Sequence, residues 1–176
     1  MIANGELNPQ FSSPDAEATQ WATAREQLEA AMTHWLSTVR SDGRPHVTTI
    51  AAVWLDDAVH FTTGHSERQA KNLAAGNSHV IVTTGCNGWD GLDIVIEGDA
   101  IPVTDPDRLG RVAEAFTEKY DDFFGMRMVD GHLSGAGTDH EPLTFAVRAM
   151  RAFGFGKGES FSQTRWTFGR DDATGG

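Results

Sequence analysis

The stretch Phe61-Thr62-Thr63-Gly64-His65-Ser66 carries a strand-like run through a glycine into a helix-like one. A helix start leaves backbone N–H groups unpaired and carries partial positive charge. Hydroxyls on Thr62, Thr63 and Ser66, with Arg68 and Lys71 close by, would complete an anion pocket suited to a phosphate monoester. The same residues also describe a capped helix with two surface cations. The junction by itself leaves both readings open.

Other chemistry is harder to place. The sequence holds 7 histidines, but none has the H-x-H or H-E-x-x-H spacing that aims two imidazoles at one ion. His60 and His65 flank a strand end, and His46 and His79 sit on separate strands, so no metal site is expected. His132 and His140 fall in an irregular stretch, where a closing loop would bring them to a pocket. The single cysteine, Cys86, excludes an intramolecular disulfide and a cysteine-based zinc cluster, and nothing nearby would activate its thiol. No Ser–His–Asp or paired-carboxylate logic is legible, and Asp121-Asp122 reads as a solvated turn or helix end. Such a chain suits chemistry carried by a cofactor, with the protein supplying position and electrostatics. No catalytic side chain is assigned.

The elements that must hold these residues can be read from pattern. Residues 1–12 are polar and expected to be loose. Ser13-Pro14 reads as N-cap and first helical residue of a helix of about twenty residues, with Trp21, Leu28, Met32 and Trp35 on one face. Residues 36–40 form a short strand, and Ser41-Asp42-Gly43-Arg44 a tight hairpin turn. Residues 46–55 read as one long strand covered on both faces. Asp56-Asp57 turns the chain into a strand at 58–63.

A second helix is expected from Ser66, with Ser66 and Gln69 as a capping box, running to Gly76. Strands follow at 79–84 and 92–103, the latter alternating. A third helix opens at Asp105-Pro106 and runs towards Tyr120. The glycine-rich segment 121–141 has no assignable structure. Strands resume at 143–150 and 152–156, and the chain closes with Phe161-Ser162-Gln163-Thr164-Arg165-Trp166-Thr167-Phe168 and a small polar tail. The sum is a mainly β chain with flanking helices: an antiparallel split β-barrel of about six to seven strands with an N-terminal helix. The expected organisation is one domain over 13–168, with flexible ends at 1–12 and 169–176.

A length of 176 residues supports one domain with a real core. The net charge of −11 disfavours a nucleic-acid binder, which needs a basic stripe. The longest apolar run, 50–55, is too short to span a bilayer, and no secretory signal is evident, so the cytoplasm is the expected location.

Four motifs in order resemble the pyridoxamine-5′-phosphate oxidase-like split-barrel superfamily, in its FMN- and F420-binding branches. They are Arg40-Ser41-Asp42-Gly43-Arg44-Pro45-His46-Val47-Thr48-Thr49, Trp54-Leu55-Asp56-Asp57, Phe61-Thr62-Thr63-Gly64 and Lys71-Asn72-Leu73-Ala74-Ala75. The ending Phe153-Gly154-Phe155-Gly156-Lys157-Gly158, then Phe161-Ser162-Gln163-Thr164-Arg165-Trp166, resembles one subgroup of small oxidoreductases in it.

The resemblance implies that Val47, Thr48, Thr49 and Ile50 run along a flavin or deazaflavin ring. It further implies that Thr62, Thr63 and the helix start, with Ser66, Arg68, Gln69, Lys71 and Asn72, hold the phosphate. It implies a homodimer with cofactor sites between subunits, approached by Arg165 and Trp166 of the partner. F420 is slightly favoured over FMN, for hydride transfer to a small organic acceptor. Relatives usually carry lysine where this chain has Gln69. Either Arg68 and Lys71 compensate, or the phosphate is held weakly, or the ligand differs. Relatives also tend to have proline near Ala149-Met150, so the last hairpin is expected to sit differently. The competing expectation is a non-catalytic carrier of flavin or of haem, with His60, His65 or His132 as axial ligand.

Overall fold

A computed structural model describes residues 3–135 and 141–168. The chain is mainly antiparallel β-sheet with three α-helices. In chain order the elements are β1 (Ala3–Leu7), α1 (Trp21–Ala30), β2 (His34–Val39), β3 (Pro45–Ile50), β4 (Ala52–Leu55) and β5 (Ala58–Thr63). Then follow α2 (Arg68–Ala74), β6 (His79–Thr84), β7 (Gly91–Pro102), α3 (Pro106–Lys119), β8 (Arg127–Val129), β9 (His132–Ser134), β10 (Leu143–Lys157) and β11 (Ser162–Phe168).

The main sheet runs β1-β11-β10-β7-β6-β2-β3, with β5 also paired to β10 and β4 to β5. β3 and β4 are therefore its two free edges on the barrel side, joined through Ala51 rather than by a ladder. This is the split. β10 spans it: residues 143–148 pair with β5 and residues 151–156 with β11, while β7 pairs along its length. The two strands read from the sequence at 143–150 and 152–156 are thus one strand, bulged at Met150 where the register to β7 shifts. At Gly98 a Cβ would lie 2.2 Å from the Arg148 carbonyl oxygen, so only glycine permits this close crossing of β7 and β10.

Turn chemistry explains the hairpins. Asp56 and Asp57 both adopt positive φ, +50° and +57°, as a two-residue turn between paired Leu55 and Ala58 requires. Between β2 and β3, Arg40 N–H bonds to Arg44 O at 2.9 Å and Gly43 takes φ +84°.

Alternation fills the barrel. Leu92, Ile94, Ile96 and Ala100 of β7 point inward with Leu36, Val59, Phe61, Val82 and Val147. Trp21 of α1 closes one end, edge-on to Trp166 at 5.4 Å, Trp54 at 5.9 Å and Phe168 at 4.8 Å. A second core lies under α3, where Leu109, Val112, Ala113 and Phe116 meet Val53, Ala58 and Ala146. Asp105 caps α3 by accepting from Arg108 N–H at 2.9 Å.

Several expectations need correction. Residues 3–7, read as part of a loose terminus, form β1 on the edge of β11. The first helix is ten residues, not about twenty: it starts after Gln20 and stops at Ala30. Ser13 caps nothing there; its hydroxyl accepts from Phe161 N–H at 2.9 Å. Met32 and Trp35 leave the helical face, and Trp35 lies in β2. The strand expected over 46–55 is broken at Ala51, and β3 alternates exposed and covered instead of being covered on both faces. The unassigned segment contains the small β8–β9 hairpin, whose Leu133 and neighbouring Met126 are buried against α3.

Candidate functional site

At the split, the last residues of β3 face α2 across a cleft of about 410 Å³. Thr48, Thr49, Ile50 and Ala51 form one wall and Thr62 of β5 contributes a hydroxyl. Glu67, Arg68 and Gln69 close the α2 side, and Phe116 and Phe124 supply an aromatic side. Among the described residues β3 pairs only with β2, so alternate backbone N–H and C=O groups on its other edge are open to a ligand.

Six of the thirteen residues put forward from the sequence therefore meet in one place: Thr48, Thr49, Ile50, Thr62, Arg68 and Gln69. Val47 faces outward on β3 and is 57% exposed. Ser66 and Lys71 are exposed and do not line the cleft. Asn72 is buried and donates to Thr38 Oγ1 at 2.8 Å, tying α2 to β2. Arg165 pairs with Glu6 at 2.6 Å across β11 and β1. Trp166 is 1% exposed in the core, and its indole N–H donates to the Thr19 carbonyl at 3.1 Å. Neither approaches the cleft of its own chain.

The start of α2 differs from the expected capping box. Its N-cap is Glu67, without a side-chain bond to the helix. Gln69 reaches Thr63 and Glu67, not Ser66. The Thr63 hydroxyl donates to Glu67 Oε2 at 2.7 Å, Gln69 Nε2 donates to Thr63 Oγ1 at 2.9 Å, and Gln69 Nε2 also donates to Glu67 Oε2. Both amide protons of Gln69 are thus committed within this knot. Arg68 has no ion-pair partner among the described residues and is the cleft's one lining cation.

Sequence reasoning missed Ala51, Glu67, Phe116 and Phe124. Glu67 precedes Arg68 in sequence, and an acidic residue gives no signal of an anion pocket. Phe124 follows Asp121 and Asp122, which take φ +50° and +58° and swing the chain back towards the cleft. Asp122 is held by Arg127 at 2.6 Å, which keeps its carboxyl below the usual range. Phe124 stands edge-on to Phe116 at 6.0 Å and to Tyr120 at 5.1 Å.

Beneath the cleft, Ala52 N–H donates to the Tyr120 hydroxyl at 2.9 Å and Lys119 Nζ donates to Ala52 O at 2.8 Å. Burial lowers Lys119 to about 8, with Glu29 opposing, and raises Tyr120. Two histidines are buried and neutral. Burial, then Lys119, lowers His34 to about 4, and burial, then Arg108, does the same for His60. Arg108 Nη2 donates to His60 Nε2 at 3.0 Å, leaving His60 Nδ1 to face Ala58 O at 3.3 Å. His65 Nε2 lies 3.1 Å from the Glu141 carbonyl, and His132 Nδ1 lies 2.9 Å from the Glu141 carboxylate. No histidine lines the cleft among the described residues, and His140 lies outside them. No described helix is long and apolar enough to cross a membrane.

Residues 21–146 match the pyridoxamine 5′-phosphate oxidase family, and the chain belongs to it. Solved structures with the same fold include an F420 reductase, 21% identical with a TM-score of 0.54, covering 73% of this chain and 94% of that one. A FAD-binding protein from Mesorhizobium loti is 12% identical with a TM-score of 0.55, covering 96% and 99%. The haem storage protein HutZ from Vibrio cholerae is 17% identical with a TM-score of 0.57, covering 81% and 93%. No curated protein matches the chain by sequence.

Proposed function

We propose that the cleft binds a flavin-type cofactor, F420 in preference to FMN, and that the protein is an oxidoreductase acting on a small organic acceptor. The carrying observation is that Thr48, Thr49, Ile50, Thr62, Arg68 and Gln69 converge on one cleft beside the open edge of β3. Its donor set suits the group. An edge strand offers alternating donors and acceptors to the polar edge of a planar ring, Phe124 and Phe116 offer it an apolar wall, and Arg68 offers one cation to a phosphate.

When bound, such a ring supplies hydride transfer. The protein's own part is positional. Backbone groups of β3, with the Thr48 and Thr49 hydroxyls, would fix the ring's polar edge. Phe116 and Phe124 would exclude water from its apolar side, and Arg68 and Thr62 would hold the phosphate. This needs no side-chain nucleophile, in keeping with a cleft whose lining offers only hydroxyls, an amide and one ion of each sign.

A homodimer belongs to this reading. The outer sheet face exposes Val47, Ile81 and Met150 around an apolar groove of about 450 Å³ that a second copy would cover. A cytoplasmic location, where reduced cofactors are regenerated, goes with it. Haem carriage has the likeness to HutZ in its favour, but His60 is enclosed and bonded to Arg108, and His65 and His132 are both turned to Glu141.

The test is a parallel titration of the purified protein with F420, FMN and haem, followed by fluorescence and absorbance. Binding of F420 near one per subunit, and oxidation of separately supplied reduced F420 in the presence of an acceptor, is the expected result. Tight binding of haem alone would replace this reading with the carrier one, and ring binding without turnover of any acceptor would leave a flavin carrier.

A further inference from the structure

Building on the flavin-type reading, we infer that the cleft selects a singly charged phosphodiester over a doubly charged phosphate monoester. Arg68 and Glu67 line the same cleft with opposite charges, and Lys71, the next cation in sequence, does not line it. Gln69 adds no charge, and its amide protons go to Thr63 and Glu67. The Glu67 carboxylate is fixed by these two donors, so it does not rotate away from an incoming anion.

A phosphate monoester carries about −2 at neutral pH and a diester carries −1. Arg68 attracts and Glu67 repels an anion in the same cleft, so their summed attraction is small at either charge, while the cost of removing an anion from water rises steeply with its charge. The favoured class includes the phosphodiester of F420, and the disfavoured class includes FMN.

The experiment compares three ligands that share one ring: riboflavin, FMN and the monomethyl ester of FMN, on wild type and Glu67→Gln. Wild type is expected to bind the methyl ester at least about threefold tighter than FMN. A carboxylate about 6 Å away through water changes affinity about threefold per ligand charge. Glu67→Gln should therefore tighten the methyl ester about threefold and FMN about tenfold, because the effect doubles in logarithm with charge. Riboflavin affinity should be unchanged, which also reports that the variant folds. If riboflavin binds but FMN equals or exceeds its methyl ester on wild type, or Glu67→Gln shifts both esters alike, charge selection is overturned while ring binding stands. If none of the three binds but F420 does, the ring reading stands and charge selection is overturned; if F420 fails as well, the ring reading falls and this inference with it.

Discussion

The Tyr120 hydroxyl engages both polar backbone atoms of Ala52, accepting from its N–H at 2.9 Å and lying 3.0 Å from its carbonyl oxygen. The same hydroxyl lies 3.2 Å from the Met32 carbonyl. It thus staples the β3–β4 break to the turn before β2, directly behind the Ala51 wall of the cleft. Tyr120→Phe leaves the buried Ala52 N–H without its acceptor and is expected to cost about 1–3 kcal/mol in urea denaturation. Ring affinity should fall as well, since Ala51 loses its support.

Arg68→Ala and Lys71→Ala separate the two cations that sequence had grouped together. Only Arg68 lines the cleft, so its removal should weaken FMN about tenfold relative to riboflavin, in the range of a charge-assisted hydrogen bond. Lys71→Ala should change that ratio by less than about twofold. Isothermal titration of wild type and both variants with FMN and riboflavin checks both.

Phe124→Ala removes an aromatic wall that is half-buried and lies mostly against other rings. Losing that face should weaken riboflavin and FMN equally, by about three- to tenfold, as an aromatic contact of about 0.5–1.5 kcal/mol implies. Bound flavin fluorescence should also be less quenched. An effect confined to FMN would mean that Phe124 acts at the phosphate end.

Acid should destabilise the fold through His34 and His60. Both titrate near 4 when folded against an ordinary 6.5, so only the unfolded chain takes up their protons between those values. Their contribution is fully present above about 6.5 and is lost as pH falls towards 4, at up to about 1.4 kcal/mol per pH unit for each. Urea denaturation at pH 7.0, 6.0 and 5.0 (chosen to span about this window) should show that slope. His60→Gln, which keeps an acceptor for Arg108, should flatten it.

Much of the fold could be read from the chain because strong local signals agreed with tertiary demands. β6 and β7 fall where β-branched residues and clean alternation placed them, and α3 begins at its Asp105-Pro106 signal. The failures share a different cause. The break at Ala51 interrupts a continuous apolar run, and what stabilises it is Tyr120, 68 residues away in sequence. β1 is polar and short, and gains its order from backbone bonds to β11, with Glu6 and Arg165 159 residues apart. The α1 face was overrun because Met32 and Trp35 keep helical spacing by coincidence after the chain has turned into β2.

The candidate site was legible where a strand end and a helix start come together, since both are local. It was not legible where the cleft borrows from elsewhere. Phe116 and Phe124 arrive from α3 and its following turn, and no pattern in residues 121–126 announces which way that turn swings. Ser66 and Gln69 matched a capping box by spacing, but Thr63 and Glu67 gave the amide better partners.

Among the described residues, β10 is the sole hydrogen-bonded bridge between the β3-β2-β6-β7 ribbon and the β4-β5 pair. Order of synthesis then matters. The nascent chain holds two unfinished sheets, and the edges of β5 and β7 stay bare, until residues 143–157 have left the ribosome. The edge of β1 waits longer still, because its partner β11 follows β10. The two sheets are therefore joined in one step rather than gradually, and the most aggregation-prone moment falls just before β10 emerges.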